Sequence, residues 1–292
     1  MDSILAIDIG GTKVDVGLVS ENGTVITKSR LLTKEANKKA LYERVLELAQ
    51  KVLAEATSEP VAIGIGCGGP GQNAYELVSP LNIPEWREFP LRTYIEKDLA
   101  IQAYIDNDAK ALALAEGWLG AAKDHTNFIA MVVSTGIGGG IVLNGELLEG
   151  TDGNAGHIGH VFVHPDTGKD ALGVEGLLEG AASGSGIFRS YGIEPKKVSS
   201  EIRKETGMYV GRAVASVANL LDLKLAVVSG SVALGFGDDF FESAQQTINA
   251  LTKIDHSQGT LIVRGDLGDE GPLIGAAAVA LRKMGKQILA KP

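Results

Sequence analysis

With a single cysteine, Cys67, the chain can form no internal disulfide and has no thiolate cluster to offer a metal. That usage fits a reducing, cytoplasmic setting. Basic residues are also in deficit: 27 Lys and Arg against 36 Asp and Glu leave a net charge of −9. Such a balance makes a poor general polyanion binder and disfavours nucleic acid as a partner, with a local basic patch left open. The opening MDSILAIDIGG has no basic leader and no long apolar run, so neither a secretion signal nor a membrane span is expected. There is no GxxxxGK[ST] loop, no GxGxxG leading into a helix, no low-complexity segment and no Pro/Ser-rich linker.

What is present in excess is glycine, 38 residues among 292, which points to tight turns or close backbone approach to a ligand. Apolar residues at 45% and charged residues at 22% describe a globular protein long enough for two lobes, each with its own core. Strand and helix patterns alternate. SILAIDIG (3–10), KVDVGLVS (13–20) and TVITKSRLL (24–32) are β-rich, and PVAIGIGCG (60–68) is the continuous apolar run of a buried strand. Helical spacing occupies 40–56, 208–222, 240–253 and 272–285, with a strand–helix pair at 103–120 and strands at 225–231 and 260–265. The alternation argues for α/β layers. Composition turns loop-like near 115–125, which divides the chain into an N-terminal lobe, 1–118, and a C-terminal lobe, 119–292. Whether the last helix packs back on the first lobe stays open.

The segments LAIDIGGTKVDVGLVSENGTVI (5–26) and IAMVVSTGIGGGIVLNGELLEG (129–150) share a plan: strand, glycine turn beside a hydroxyl, strand, Asn-Gly turn. Two related lobes explain it; the plain alternative is that glycine-rich hairpins look alike. In a tight glycine turn, backbone N–H groups can converge on one anion. DIGGTK (8–13) supplies such a turn through Gly10, Gly11, Thr12 and Lys13, and STGIGGG (134–140) a second through Thr135, Gly136 and Gly138. Facing each other across a cleft, the two would grip a polyphosphate tail. Asp8 would then serve Mg²⁺, directly or through water, because a hard cation prefers carboxylate oxygen.

DIGGTK, the pair Gly69-Pro70, IDNDA (105–109), STGIGGG and AGHIGH (155–160) stand in the order and spacing of the ROK family. This family comprises bacterial sugar kinases and related repressors on the two-lobed actin-like ATPase, or ribonuclease-H-like, fold. The resemblance runs from residue 4 to about 282 and implies an ATP- and Mg²⁺-dependent kinase acting on the 6-hydroxyl of glucose or a related hexose. It implies a homodimer as well.

By the same resemblance Asp108 is the general base, accepting the sugar hydroxyl proton as the γ-phosphoryl group arrives. Asp106 and Asp108, two apart, would face one way on a strand; an Asp at such a junction can also be a helix N-cap. Gly69, Asn82 and Asn107 match sugar-contacting positions. Trp86, in SPLNIPEW (79–86), can stack on a sugar or pack in the core. Ser229-Gly230-Ser231 resembles the glycine turn beside adenosine, one glycine short of the usual run, with Gly230 and Ser231 as its contacts.

The segment GNAGHIGHVFVHPDTGKDALGVEGLLEG (153–180) departs from the family most. Relatives run GEIGH and then CxCGxxGCLE, with the histidine and three cysteines holding a structural zinc. Here the cysteine positions are Asp170, Leu172 and Leu177, so no zinc site is expected. A His160–His164–Asp170 metal site is the alternative. Leu172, Leu177 and Leu178 are expected to pack apolar surface in place of the metal clip. His160 and Glu179 match sugar-contacting residues, and His157 stands where relatives carry glutamate; its alternative role is that of a turn residue.

Three rivals remain at this stage: a polyphosphate-dependent glucokinase, a sugar-sensing repressor and a non-catalytic sugar binder. The first strand begins at Ser3 or Ile4, which leaves no room for an N-terminal DNA-binding module and disfavours the repressor.

Overall fold

The computed structural model describes residues 2–33 and 38–292. The run SILAIDI forms β1 (Ser3–Ile9), turns, and returns as β2 (Lys13–Ser20), antiparallel with Asp8 opposite Asp15. β3 (Val25–Leu32) follows with burial alternating along it, the pattern of an edge strand with one wet face. After α1 (Lys38–Ala54), β4 (Ala62–Cys67) pairs in parallel with β1 and is buried throughout, hence its unbroken apolar and glycine sequence. A short ribbon of β5 (Gly71–Gln72) and β6 (Leu77–Val78) precedes α2 (Leu91–Leu99). β7 (Ala103–Asn107), parallel to β4, runs directly into α3 (Asp108–Trp118). The sheet order is β3-β2-β1-β4-β7.

The second sheet repeats this plan. β8 (Phe128–Val133) and β9 (Ile137–Leu143) form an antiparallel hairpin, and β10 (Glu146–Leu147) follows through Asn144-Gly145. Both turn residues are left-handed, with φ of 52° and 74°, as a two-residue type I′ connection requires. Helices α4 (Leu178–Ala182), α5 (Gly184–Tyr191) and α6 (Ser200–Leu221) then lead to β11 (Leu225–Ser229), parallel to β8. α7 (Ser231–Phe236), α8 (Asp238–Leu251), β12 (Leu261–Arg264) and α9 (Gly271–Lys283) complete the chain's elements. The order β10-β9-β8-β11-β12 matches the first sheet position for position. The likeness of 5–26 to 129–150 is therefore a repeated topology.

Two units result. Unit 1 holds Met1–Lys123, Leu147–Ala155 and Leu267–Ala290; unit 2 holds Asp124–Glu146, Gly156–Asp266 and Lys291–Pro292. In unit 1, α9 lies on the sheet and along α3. The approach is so close that a Cβ at Gly64 would sit 2.0 Å from the Ala276 carbonyl oxygen, and one at Gly275 would sit 2.6 Å from that of Ala111. Small residues in GPLIGAAAVAL and DAKALALAEG therefore set the depth at which the start of α3 is held. Among the described residues, no helix is long and apolar enough to cross a membrane.

Candidate active site

In unit 1 the parallel register β1–β4–β7 sets Asp8 beside Gly66, and Gly66 beside Asp106, at the carboxyl ends of the strands. α3 starts one residue past β7, so Asp108 comes to the same place. A Cβ at Gly66 would lie 3.3 Å from Asp8 Oδ1 and 3.6 Å from Asp108 Cα; its absence leaves room for both acids. Both side chains belong to half-buried residues. Burial, then the negative charges of Asp108 and Asp15, push the Asp8 carboxyl up to about 8, against the pull of Lys13 and Arg30. Burial also raises the Asp108 carboxyl above its ordinary range, partly offset by the Ala109 N–H that donates to Oδ1 at 2.9 Å.

Asp106 and Asp108 do not share a strand face. The strand ends at Asn107, whose side chain is the N-cap of α3, accepting from the Ala109 N–H at 3.0 Å. The chain thus turns into a helix between the two acids, and the cap is Asn107 rather than Asp108. Asp106 instead meets Lys110, one helical turn on: Nζ lies 3.0 Å from Oδ1, with both side chains sealed from water. Lys110 also donates to Glu149 and, at 2.9 Å, to the Gly153 carbonyl; Glu149 in turn receives Arg282 at 2.6 Å.

The glycine turn of unit 1 is held from behind. Gly10 N–H donates to the Lys13 carbonyl at 3.0 Å, while Thr33 binds the Gly10 carbonyl through its hydroxyl and the Thr12 carbonyl through its N–H, both at 2.9 Å. Lys13 Nζ lies 3.2 Å from Asp15 Oδ2, and Arg30 clasps the same carboxylate. Gly11 faces Asn82, where a Cβ would come within 2.4 Å of Asn82 Cβ, so the turn and the SPLN loop are in direct contact. Gly69 abuts Asn107: a Cβ there would be 2.9 Å from Nδ2. Trp86 is fully buried and stacks on Phe89 with ring centroids 4.6 Å apart, which makes it core and not a sugar platform.

The sequence gives little sign of two residues here, Asn154 and Tyr75. Asn154 accepts from Gly71 N–H at 3.2 Å and from the Tyr75 hydroxyl at 3.3 Å, and donates to the Gly71 carbonyl at 3.1 Å. It thereby fixes the loop that carries Gly69. The signal available was weak: a polar residue in a glycine-rich stretch, with its partners about eighty positions away.

In unit 2 the turn between β8 and β9 is Ser134–Gly136, closed by Ser134 N–H to the Gly136 carbonyl at 3.0 Å; Gly138 lies in β9 itself. The start of α5 underpins the turn, Gly184 N–H donating to the Ser134 carbonyl at 2.7 Å and Ser185 N–H to that of Thr135 at 3.1 Å. Gly230 has φ of +103°, and a Cβ on it would lie 2.4 Å from the Val133 carbonyl oxygen. Its neighbour Ser231 reaches Ser134, Oγ to Oγ, at 3.0 Å. The structure therefore brings Thr135, Gly136, Gly230 and Ser231 together.

His157 precedes a single helical turn, Ile158–His160, and the two imidazoles meet edge to face at 5.9 Å. Burial, and then His160, hold the His157 imidazole below its usual pKa, which favours the neutral ring. Glu179, in the first turn of α4, accepts from the Ile137 N–H at 3.3 Å and so is tied to the start of β9. Leu178 is fully buried and Leu177 partly, but Leu172 is 63% exposed, contrary to the packing expected of it. The reason is Asp170, whose Oδ1 accepts from Leu172 and Val174 N–H, each at 2.8 Å. A buried carboxylate closes this loop through the backbone, so residue 172 need not turn inward. His164 is occupied in its own turn, Nδ1 accepting from Asp166 N–H at 3.2 Å. Among the described residues no three His, Cys, Asp or Glu side chains are grouped to hold a metal.

A repeated sheet with a glycine turn after its first strand is the plan of the actin-like ATPases. The ROK hexokinase of Thermus thermophilus superposes with a TM-score of 0.82 at 29% identity, covering 97% of this chain and 99% of its own. The family model described as ROK family matches residues 4–283. Among curated relatives, a glucokinase of Thermotoga maritima is 36% identical over 203 residues, 68% of this chain and 63% of that protein. An N-acetylmannosamine kinase of Haemophilus influenzae is 32% identical over 249 residues, 80% of this chain and 82% of its own length. The fold is the actin-like ATPase fold, with duplicated mixed sheets. The chain belongs to the ROK family, and it is a sugar kinase.

Proposed function

We propose that the protein transfers the γ-phosphoryl group of ATP to the 6-hydroxyl of glucose or a close hexose relative. The observation that carries this reading is the setting of Asp108: half-buried, at the first position of a helix, with its carboxyl raised by burial and therefore more basic than a free aspartate. Asp108 accepts the hydroxyl proton, the hydroxyl oxygen forms the new bond to phosphorus, and the bond from phosphorus to the ADP oxygen breaks. In unit 1, the Gly10–Lys13 turn binds phosphate, while Gly69, Asn82 and Asn107 bind sugar. In unit 2, Thr135, Gly136, Gly138, Gly230 and Ser231 serve the nucleotide, and His157, His160 and Glu179 serve the sugar.

Mg²⁺ fits the donor set at Asp8. This is a carboxyl whose ionisation is opposed first by burial and then by two neighbouring acids, so a cation there offsets the cost of its charge. Mg²⁺ commonly takes one or two carboxylates and completes its shell with phosphate and water. Bound there, the ion neutralises charge on the phosphates; holding it is the role assigned to Asp8.

A coupled assay of nucleotide release over a panel of hexoses and amino sugars, with ATP or polyphosphate as sole donor, tests the reading. Turnover with ATP and glucose or a near relative is expected. Turnover with polyphosphate alone, or only with N-acetylated amino sugars, would replace it.

A further inference from the structure

The loop after Gly71 holds three consecutive left-handed residues, none of them glycine: Asn73, Ala74 and Tyr75, with φ of 51°, 53° and 64°. Asparagine tolerates that region, but alanine and tyrosine enter it at a cost, because Cβ crowds the following carbonyl. Strain of this kind persists only where the surroundings over-determine it. Here the turn buries Tyr75, which is 2% exposed, and lays its ring on Gly71, where an added Cβ would be 2.5 Å from the nearest ring carbon.

The direction in which the Tyr75 hydroxyl bonds is set by backbone groups. Gly71 N–H donates to Asn154 Oδ1 and the Gly71 carbonyl accepts from Asn154 Nδ2, so the Asn154 amide can stand only one way. Tyr75 therefore donates to Asn154 Oδ1, and its oxygen is left as an acceptor. Asn107 is oriented from its own side: Oδ1 accepts from the Ala109 N–H, which assigns the opposite end to Nδ2. Nδ2 and the Tyr75 oxygen converge on Gly69, where an added Cβ would lie 2.9 Å from one and 3.3 Å from the other. Burial, then the charges of Asp106 and Asp108, raise the Tyr75 pKa, and a hydrogen bond from the Asn107 side chain opposes them. We propose that Tyr75 is a positioning residue: its hydroxyl links Asn154 to the Asn107 amide and so holds Asn107 and Gly69 in the places from which they bind the hexose. The inference rests on the reading of Asn107 as a sugar-contacting residue.

Tyr75→Phe keeps the ring on Gly71 and removes only the hydroxyl. Asn107→Ser removes the amide and keeps a side-chain oxygen to cap α3. The wild type, both single variants and the double variant are assayed with glucose, or with the panel sugar that turns over best, and sugar affinity is read by calorimetry. Tyr75→Phe should raise KM and Kd for the sugar about threefold to tenfold. Its kcat and its KM for ATP should stay within about twofold of the wild type. Asn107→Ser should weaken the sugar at least as much, and adding Tyr75→Phe to it should cost little more, because the hydroxyl acts through that amide. A Tyr75 that serves packing alone leaves the sugar KM of Tyr75→Phe unchanged. That result, or losses that multiply in the double variant, overturns the proposal while Asn107 keeps its sugar role. Unchanged sugar affinity in Asn107→Ser overturns that role and the proposal with it, and so does a wild type that binds no sugar of the panel. Should Tyr75→Phe fail to fold by circular dichroism, Asn154→Ala removes the acceptor of the hydroxyl instead, and the same cycle with Asn107→Ser decides by the same criteria.

Discussion

Lys110 Nζ lies 3.0 Å from Asp106 Oδ1, and neither side chain reaches solvent. Two buried charges attract strongly, but their lost hydration offsets much of that, so such a pair matters most when one partner is removed. Lys110→Met leaves Asp106 buried without its cation and with the negative charge of Glu149 near it, while Glu149 keeps Arg282. Thermal and urea unfolding should show a loss of about 3–5 kcal/mol. Adding Asp106→Leu should recover part of it. A Lys110→Met variant as stable as the wild type would mean that the buried pair contributes nothing to stability.

Asp108→Asn removes the proposed proton acceptor while keeping shape and one hydrogen-bonding oxygen for Ala109 N–H. Turnover should fall about 10²–10⁴-fold, with hexose affinity by calorimetry retained. Near-normal turnover would assign the base elsewhere.

The Asp8 carboxyl, pushed up to about 8 by burial and its acidic neighbours, holds a proton at neutral pH in the absence of a cation. Unfolded, it ionises in the ordinary carboxylate range. Between those pH values the folded chain binds more protons, so the stability linked to Asp8 is full at low pH and falls as pH rises through about 8. In metal-free buffer, Asp8→Asn should flatten this part of the stability profile. Binding of Mg²⁺-nucleotide at pH 7 should release about one proton in the wild type and close to none in the variant. Calorimetry in buffers of different ionisation enthalpy reads the difference.

Features set by local chemistry were legible in the chain. A glycine turn between two apolar strands can hardly be anything else, and DIGGTK, STGIGGG and IDNDA stand at the ends of β1, β8 and β7. The orientation of Asp106 was not legible, because it depends on where the strand stops. Asn107 as N-cap ends it one residue before Asp108, and no pattern of alternation shows that. Lys110 with Glu149 and Asn154 with Tyr75 were invisible for another reason: their partners lie 39 and 79 positions away in the chain. Leu172 misled because burial was inferred from residue type, whereas Asp170 had already closed the loop through backbone hydrogen bonds.

That difference can be measured on the leucines themselves. Leu178 is fully buried and Leu172 is 63% exposed. Leu178→Ala should cost about 2–5 kcal/mol by leaving a cavity, and Leu172→Ser should stay within about 0.5 kcal/mol of the wild type. Equal losses in urea unfolding would mean that Leu172 packs after all.

Gly11 offers a sharper test of the role proposed for Asn82, since its need for glycine comes from proximity rather than from a left-handed backbone. A Cβ there would sit 2.4 Å from Asn82 Cβ, well inside contact distance, and the clash is with the first carbon of a side chain, which cannot swing away without its backbone. Gly11→Ala must therefore displace either the glycine turn or the loop holding Asn82. Overpacking of this kind costs about 1–3 kcal/mol. If Asn82 binds the hexose, the displacement should raise KM for the sugar more than it lowers kcat. Gly11→Ala combined with Asn82→Ala should then raise KM little beyond Asn82→Ala alone, because both changes act through the same contact. Independent, multiplying effects in that cycle would separate Asn82 from the sugar and place the damage at the glycine turn.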